Sequence, residues 1–185
     1  MQLNYGRSDT QSDERLGELI LYVADKCADD PSVGATKLNK ILWWSDFLAY
    51  VEHGEAITWS IYQRLEHGPA PRRLRPVRRH LVACGRARVQ EVEIAKGLIQ
   101  HRLVPLDEPD MSQFSARQIC LIDGVIEVLW GDSAADVSEL SHGNAWRIAD
   151  NHEAIPYQAA FLSDESVTDD DVARTKELAA KFAWA

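Results

Sequence analysis

The side chains best suited to catalysis or metal binding are six histidines and three cysteines, and their spacing favours neither chemistry. No two histidines stand four residues apart on one predicted helix, and H-E-x-x-H does not occur, so we expect no metal site. The cysteines are odd in number and contain no C-x-x-C pair, which argues against a disulfide framework. The residues are His53, His67, His80, His101, His142, His152, Cys27, Cys84 and Cys120.

Nucleophilic and nucleotide chemistry also lack their usual motifs. Ser141 and His142 are adjacent in the chain, and no serine lies in a G-x-S-x-G segment. Glycine-rich phosphate-binding loops do not occur. Cys84 and Cys120 fall on apolar helix stripes, where a thiol usually packs rather than reacts. We therefore expect a binding protein without a cofactor, and not an enzyme.

Composition places the chain among ordinary globular proteins. It has 185 residues, of which 45% are hydrophobic and 26% are charged, so one domain with a substantial core is expected. The first dozen residues contain no apolar stretch that could form the core of a signal peptide, and no apolar run is long enough to span a membrane. We expect a cytoplasmic bacterial protein with no membrane contact.

Charge is distributed unevenly along the chain. The net charge is −9, yet residues 64–102 hold 10 basic and 3 acidic residues, while residues 103–185 hold 5 basic and 16 acidic ones. A local basic patch can bind an acidic surface within a Debye length of roughly 8 Å at physiological salt. Two interpretations remain open: an external acidic partner, or the acidic C-terminal part of the chain folded against the patch.

Hydrophobic periodicity predicts two helices in the N-terminal part. The first covers residues 12–27 and ends before Pro31. The second covers residues 38–51, is capped by Thr36 and stops at Gly54. Ten of its fourteen positions are apolar or aromatic, so this helix either lies at the centre of the core or presents one stripe to a partner.

The middle of the chain changes to a period of two. Ile57, Trp59 and Ile61 alternate with polar residues, which predicts a half-buried strand that ends at the turn over residues 67–71. An arginine-rich helix follows to about Cys84. Residues 86–95 and 98–106, joined by Lys96-Gly97, are typical of a β-hairpin.

The C-terminal part again has helical periodicity. A helix capped by Ser115 precedes Gly131, and a shorter helix is expected over residues 132–140. The last helix is expected over residues 168–184, with an acidic first turn. Residues 141–163 have no clear period, and their expected core anchors are Trp146, Ile155 and Phe161.

These elements predict an α+β fold that is mainly α, with a small antiparallel β-sheet made of the strand and the β-hairpin. Residues 1–11 are expected to form a flexible N-terminus and residues 12–163 the domain. Residues 164–185 are expected to form an acidic segment and a C-terminal helix that packs on the domain.

Three short stretches, in this order and separation, resemble the Panacea domain, the SocA-like antitoxin domain of bacteria and their phages. They are Thr36–Trp44 at the start of a helix, Glu66–Pro71 after a strand, and Leu140-Ser141-His142 followed by Trp146. Trp43-Trp44 departs from the Tyr-Phe-like pair of other members, and the arginines of residues 72–79 are more numerous. The matched motif residues are Lys37, Leu38, Lys40, His67, Gly68, Pro69, Leu140, Ser141, His142 and Trp146.

Each motif also has a purely structural interpretation. Lys37 and Lys40 lie at a helix start, where the helix dipole disfavours cations, so a carboxylate partner from another segment is expected. Gly68-Pro69 is expected to turn the chain from strand to helix. His142 and Trp146 are expected to be buried with their polar atoms bonded locally.

The resemblance implies an antitoxin of a toxin-antitoxin system that binds its cognate toxin directly, with delivery of the toxin to a cytoplasmic protease as a variant. Such binding needs a few aromatic and arginine anchors on the surface. The candidates are Trp43, Phe47, Tyr50, Arg72, Arg75 and Arg79.

Two other functions were weighed. A DNA-binding regulator would use the arginine-rich helix 72–84 and the hairpin 86–104, with Lys96 near the tip of a wing. Only one helix lies between Ile61 and Arg86, whereas a winged helix needs two at this point, and the acidic total disfavours phosphate binding. A prophage-encoded enzyme would need a pocket with convergent polar groups.

Overall fold

A computed structural model describes residues 2–95, 97–162, 164 and 168–182 of the chain. Within this part, seven α-helices and two small antiparallel sheets confirm the mainly helical α+β class. No helix in the described ranges has the length and apolar character that crossing a bilayer requires. The elements are α1 (Thr10–Lys26), α2 (Ala35–His53), β1 (Tyr62–Gln63), β2 (Ala70–Pro71), α3 (Leu74–Ala83), β3 (Ala87–Ala95), β4 (Leu98–Pro105), α4 (Ala116–Val128), α5 (Ala134–Leu140), α6 (Asn144–Arg147), β5 (Ala154–Ile155) and α7 (Asp169–Phe182).

The strand and the hairpin belong to two separate sheets, and not to the single sheet expected. Strand β1 lies between β2 and β5, with Tyr62 opposite both Pro71 and Ile155. The hairpin β3–β4 is a sheet of its own that runs from the Ala87–Pro105 pair outward. Strands β2 and β5 are two residues long, which is too short for alternation to reveal them in the sequence.

Helix ends follow local capping chemistry. Asp9 accepts a hydrogen bond from the Ser12 amide (2.8 Å) at the start of α1, and Ser115 forms a capping box with Gln118 at the start of α4. Helix α2 ends at Gly54, which adopts a left-handed φ of +73° as expected. Its N-cap is Gly34 and not Thr36, because the first turn begins two residues earlier than predicted.

The main core lies between α1, α2, α3, α4 and the hairpin. A second cluster is aromatic and packs the inner side of α2 against the three-stranded sheet, with the rings of Phe47 and Tyr157 stacked at 4.8 Å. The main cluster includes Leu16, Leu19, Ile20, Val23, Ile41, Leu42, Leu74, Val77, Leu81, Leu103, Ile122 and Val125.

The predicted strand from Ile57 is wrong over most of its length. Trp59 has a φ of +57°, a left-handed conformation that no regular strand contains. Thr58 and Ser60, expected on the solvent side, are both buried: the Thr58 hydroxyl bonds to Asp46, and the Ser60 hydroxyl lies 2.8 Å from that of Thr58. The alternation therefore arose from a loop that directs its polar side chains inward, and regular pairing begins only at Tyr62.

The structure also tests predictions made for the N-terminal residues and for residues 141–163. Ile155 is a buried anchor, but Phe161 is exposed and does not anchor the core. Residues 4–7, assigned to a flexible N-terminus, are hydrogen-bonded to the domain through Asn4 O, which accepts from Tyr157 N (2.8 Å). Lys96 and Trp184 lie outside the described residues, and the packing of residues 164–185 on the domain stays a prediction.

Candidate functional site

The three sequence motifs meet at one place inside the molecule. Lys40 on α2 donates a hydrogen bond to the Pro69 carbonyl (3.1 Å), and Ser141 follows α5 on the other side of the Gly68 turn. Gly68 has a φ of +91°, and a Cβ there would lie 2.6 Å from Lys40 Nζ and against Ser141 Oγ. A glycine is therefore required both by the left-handed turn and by the space between two buried polar groups.

Lys37 joins two further loops to the same helix. Its ammonium lies 2.6 Å from the Asp30 carboxylate, with both side chains buried, and donates to the Asp132 carbonyl at 3.0 Å. The expected carboxylate partner is thus confirmed for Lys37. It is wrong for Lys40, whose acceptor is a backbone carbonyl, and burial lowers the pKa of Lys40 to about 7.

The third motif is held by backbone carbonyls of the turn. Ser138 donates to the His67 carbonyl (2.9 Å), and the Trp146 indole donates to the Leu65 carbonyl (2.9 Å). The His142 and Trp146 rings lie 4.3 Å apart, and Arg64 covers the outer side of the indole at 3.9 Å. Trp146 therefore satisfies its N–H locally as expected, whereas His142 Nε2 is buried with no hydrogen-bond partner among the described residues.

A buried carboxylate that the sequence analysis missed lies on the inner side of α2. Asp46 accepts hydrogen bonds from the Thr58 amide (2.6 Å), the Thr58 hydroxyl (2.5 Å) and the Tyr62 hydroxyl (2.8 Å). Burial raises the pKa of Asp46 in spite of these donors. Asp46 is the one charged residue between Lys40 and Glu52 in an apolar helix, and this isolation in the sequence could have revealed it.

These buried groups position the chain rather than react with a substrate. Lys37, Lys40, Asp46 and Ser141 are all enclosed, so no substrate reaches them in this conformation. Their contacts tie α2 to the 65–69 turn, to the loops before and after α5, and to the 58–62 segment. The motif residues Lys37, Lys40, Gly68 and Ser141 are therefore part of the internal framework of the fold, whereas the motif residues His67 and Leu140 are exposed.

The predicted aromatic partner stripe on α2 requires correction. Trp43 and Phe47 are 3% and 4% exposed, and Tyr50 is half-buried against Trp59 and Tyr157, so this stripe faces the second core cluster. The stripe left outside is displaced by one residue and consists of Trp44, Leu48 and Val51.

An apolar groove runs between this outer stripe of α2 and helix α4. Its volume is about 730 Å³, and it is open to solvent along one side. Three of the large apolar side chains on its walls, Leu48, Val128 and Leu140, are exposed. Its lining includes Trp44, Leu48, Glu52, Arg117, Cys120, Leu121, Gly124, Val128 and Leu140.

The basic region is only partly neutralised within the chain. Arg73 pairs with Asp13 (2.6 Å), and Arg86 pairs with Glu18 (2.5 Å) and Asp107 (3.0 Å). These carboxylates raise the pKa of Arg86, so that guanidinium remains charged. The predicted anchors are exposed and form no ion pair within the described residues: Arg72, Arg75 and Arg79.

A polar cleft of about 420 Å³ lies beside the N-terminus of α1. Its main cation, Arg15, donates to the Ile57 carbonyl (2.7 Å) and to the carbonyl of Gln113, and its guanidinium also lies over the Phe114 ring. The donors of Arg15 are thus occupied by the protein itself. Arg15 therefore joins α1 to the segments that follow α2 and precede α4. The cleft offers no convergent set of free catalytic groups within the described residues.

The fold and the buried framework describe a small helical domain of the mixed α+β class. Residues 38–147 match the family described as antitoxin SocA-like, Panacea domain. This match covers more than half of the chain and includes the first motif region from Leu38 onward and the whole of the other two, so the protein belongs to the SocA-like Panacea family. Searches of curated proteins and of solved structures found no match.

Proposed function

We propose that this protein is an antitoxin that neutralises a cognate toxin by direct protein binding, without catalysis. The observation that carries the proposal is the match of residues 38–147 to an antitoxin family. Because the motif residues Lys37, Lys40 and Ser141 are buried and bonded within the chain, the exposed surface is the part of the molecule left to recognise a partner. The exposed arginines Arg72, Arg75 and Arg79 are proposed contacts for acidic groups of that partner.

The test uses the products of the genes on either side of this one. Each neighbour is induced in a heterologous host, alone and together with this protein. We expect one neighbour to arrest growth alone, growth to be restored by co-expression, and the two proteins to copurify in a fixed ratio. A growth-toxic neighbour that this protein neither binds nor neutralises would contradict the proposal.

Release of the toxin to a protease is a finer version of the same proposal. An antitoxin that masks its toxin leaves the toxin level unchanged, whereas an antitoxin that delivers it shortens the toxin's half-life. The half-life of the toxin after translation arrest, with and without this protein, distinguishes the two. Both versions place the protein in the cytoplasm beside its toxin.

DNA binding is the second candidate, because Arg72, Arg75 and Arg79 form a cationic side of the α3 region without internal ion pairs in the described residues. Phosphate contacts would make the affinity fall steeply with salt. Binding of the protein's own promoter fragment at low salt, lost in an Arg75→Glu/Arg79→Glu variant, would support this function. Absence of a mobility shift at low salt would exclude it.

A further inference from the structure

We infer that the groove between α2 and α4 is the toxin-docking surface and that it accepts one amphipathic helix of the toxin with an apolar face and basic flanks. The inference rests on the proposed antitoxin function and adds the surface and the chemistry of the partner. A third helix laid between two exposed helices is a common mode of peptide recognition, read by side chains three and four residues apart.

Large apolar side chains are exposed around the groove. Leu48, Val128 and Leu140 are 38%, 77% and 59% exposed on three different helices around one groove. A second pocket, which shares Trp44 and Leu48 with the groove, continues the apolar surface past Val51 toward Leu162. Apolar surface from three helices converging in this way is typical of a protein-binding site, whereas single exposed apolar residues are ordinary.

Gly124 leaves a gap in the wall of the groove. It lies in the interior of α4 and lines the groove, and a Cβ built on it meets no atom of the described residues within 4 Å. Glycine in a helix interior lowers stability relative to alanine, and no internal contact here requires it. The missing side chain deepens the middle of the groove and lets the backbone of a partner helix approach α4 closely.

Charge at the edges selects the partner. Helices α2 and α4 are antiparallel, because Lys37 near the start of α2 reaches Asp132 past the end of α4. Glu52 and Arg117 therefore flank the same end of the groove. Glu127 and Glu139 are exposed and immediately precede the groove residues Val128 and Leu140. Glu52, His53 and Arg117 line the groove, and Glu127 and Glu139 add two exposed carboxylates just outside the lining. The three carboxylates outnumber the single guanidinium, which favours a partner with basic residues beside its apolar face.

A second copy of this chain is a poorer occupant. Two identical concave surfaces that face each other across a two-fold axis enclose a void instead of filling it, and the same carboxylates would be brought toward each other. A convex helix with basic flanks satisfies both the shape and the charge. We therefore assign the groove to a helix of the toxin and not to a second copy of this chain, and the experiment below also measures self-association.

The test measures binding of the neighbouring toxin, made by cell-free synthesis, to four forms of the full-length protein. Gly124→Leu fills the groove at its centre and is expected to lower affinity at least 10-fold while the thermal unfolding midpoint stays equal or rises. Val82→Leu places the same side chain at an exposed position of α3 and is expected to leave affinity within 2-fold. Glu52→Lys is expected to weaken binding, most strongly at low salt.

Each outcome has one meaning. Loss of binding in Gly124→Leu with a retained fold, together with unchanged Val82→Leu, supports the inference. Wild-type and Gly124→Leu proteins that bind the toxin equally would overturn the groove assignment and leave the antitoxin proposal standing. A wild-type dimer in sedimentation that Gly124→Leu converts to monomer would assign the groove to a second copy and overturn the inference. A wild-type protein that binds neither neighbour overturns the proposed function and the inference with it.

Discussion

Helix α2 has two apolar faces, of which one is buried in the domain and the other is exposed at its surface. The inner face holds Phe47 in an aromatic cluster and Asp46 in a network of hydrogen bonds with Thr58 and Tyr62. The outer face holds Leu48 and Val51, which are exposed beside the α4 groove. The apolar side chains of the inner face therefore stabilise the fold, whereas those of the outer face are free to contact a partner.

The largest contrast is expected between adjacent residues of the two faces. Phe47→Ala should lower the free energy of unfolding by about 4 kcal/mol, because the lost ring contacts leave a cavity in the aromatic cluster. Leu48→Ala should cost about 1 kcal/mol or less, since its side chain is partly in water. Urea unfolding of both variants measures the difference, and similar losses would contradict the division of α2 into two faces.

The two lysines of the inner framework sharpen the comparison. Lys37→Met leaves the Asp30 carboxylate buried without its counter-ion and should cost about 3 to 4 kcal/mol. Lys40→Met leaves only the Pro69 carbonyl without a donor and should cost about 1 kcal/mol.

The matched control for the ion pair is the double variant Lys37→Met/Asp30→Asn, compared with Lys37→Met by denaturant unfolding. It should be more stable than the single variant, because it removes the buried charge. A double variant no more stable than Lys37→Met would show that the cost is packing and not the unpaired carboxylate.

The turn at Gly68 is expected to give the next effect. Gly68→Ala adds the strain of a left-handed φ and forces a methyl between Lys40 and Ser141, with an expected loss of about 2 to 3 kcal/mol. Gly85→Ala is its control, since Gly85 has a φ of +76° with open space around it, and should cost about 1 kcal/mol. Equal thermal shifts for the two variants would mean that crowding at the motif junction contributes nothing.

The most gradual expected effect is a dependence of the free energy of unfolding on pH that arises from Lys40. Its pKa is lowered to about 7 in the folded protein from an ordinary value of 10.5, so between these values the unfolded chain binds a proton that the folded chain releases. Stability from this group therefore rises with pH above 7, by up to about 1.4 kcal/mol per pH unit.

The difference in unfolding free energy between wild type and Lys40→Met, measured from pH 6 to pH 9, isolates this term from the other titrating groups. Wild type should gain on the variant as the pH rises above 7. A difference that stays constant over this range would show that Lys40 keeps its ordinary pKa in the folded protein.

Local patterns predicted the elements whose information lies within one stretch of chain. The long helices and the hairpin were found with their caps at Ser115 and Gly54, because periodicity and turn chemistry are local. The strand from Ile57 failed because its alternation came from contacts of Thr58 with Asp46, twelve residues away. Strands β2 and β5 were missed since two-residue strands are defined by their partners alone.

The candidate surface shows the same limit. Composition indicated that α2 would be apolar all round, and it offered two interpretations, a core helix or a stripe for a partner. The stripe predicted as a set of aromatic anchors for a partner, Trp43–Phe47–Tyr50, is the one that packs in the core. The sequence of a helix with no polar side does not indicate which face is buried, because that depends on which other segments pack against it.

Sequence alone determined the class of fold, the helix boundaries to within a few residues and the family motifs, because each depends on short-range spacing, and it indicated that a carboxylate would lie near Lys37. Tertiary structure decided which face of α2 is buried, that Lys40 meets a carbonyl, that Asp46 anchors the 58–62 segment, and that α4 presents Gly124 beside an open groove. These depend on segments distant in the chain meeting in space, and the free energy of such contacts is not carried by any single stretch of residues.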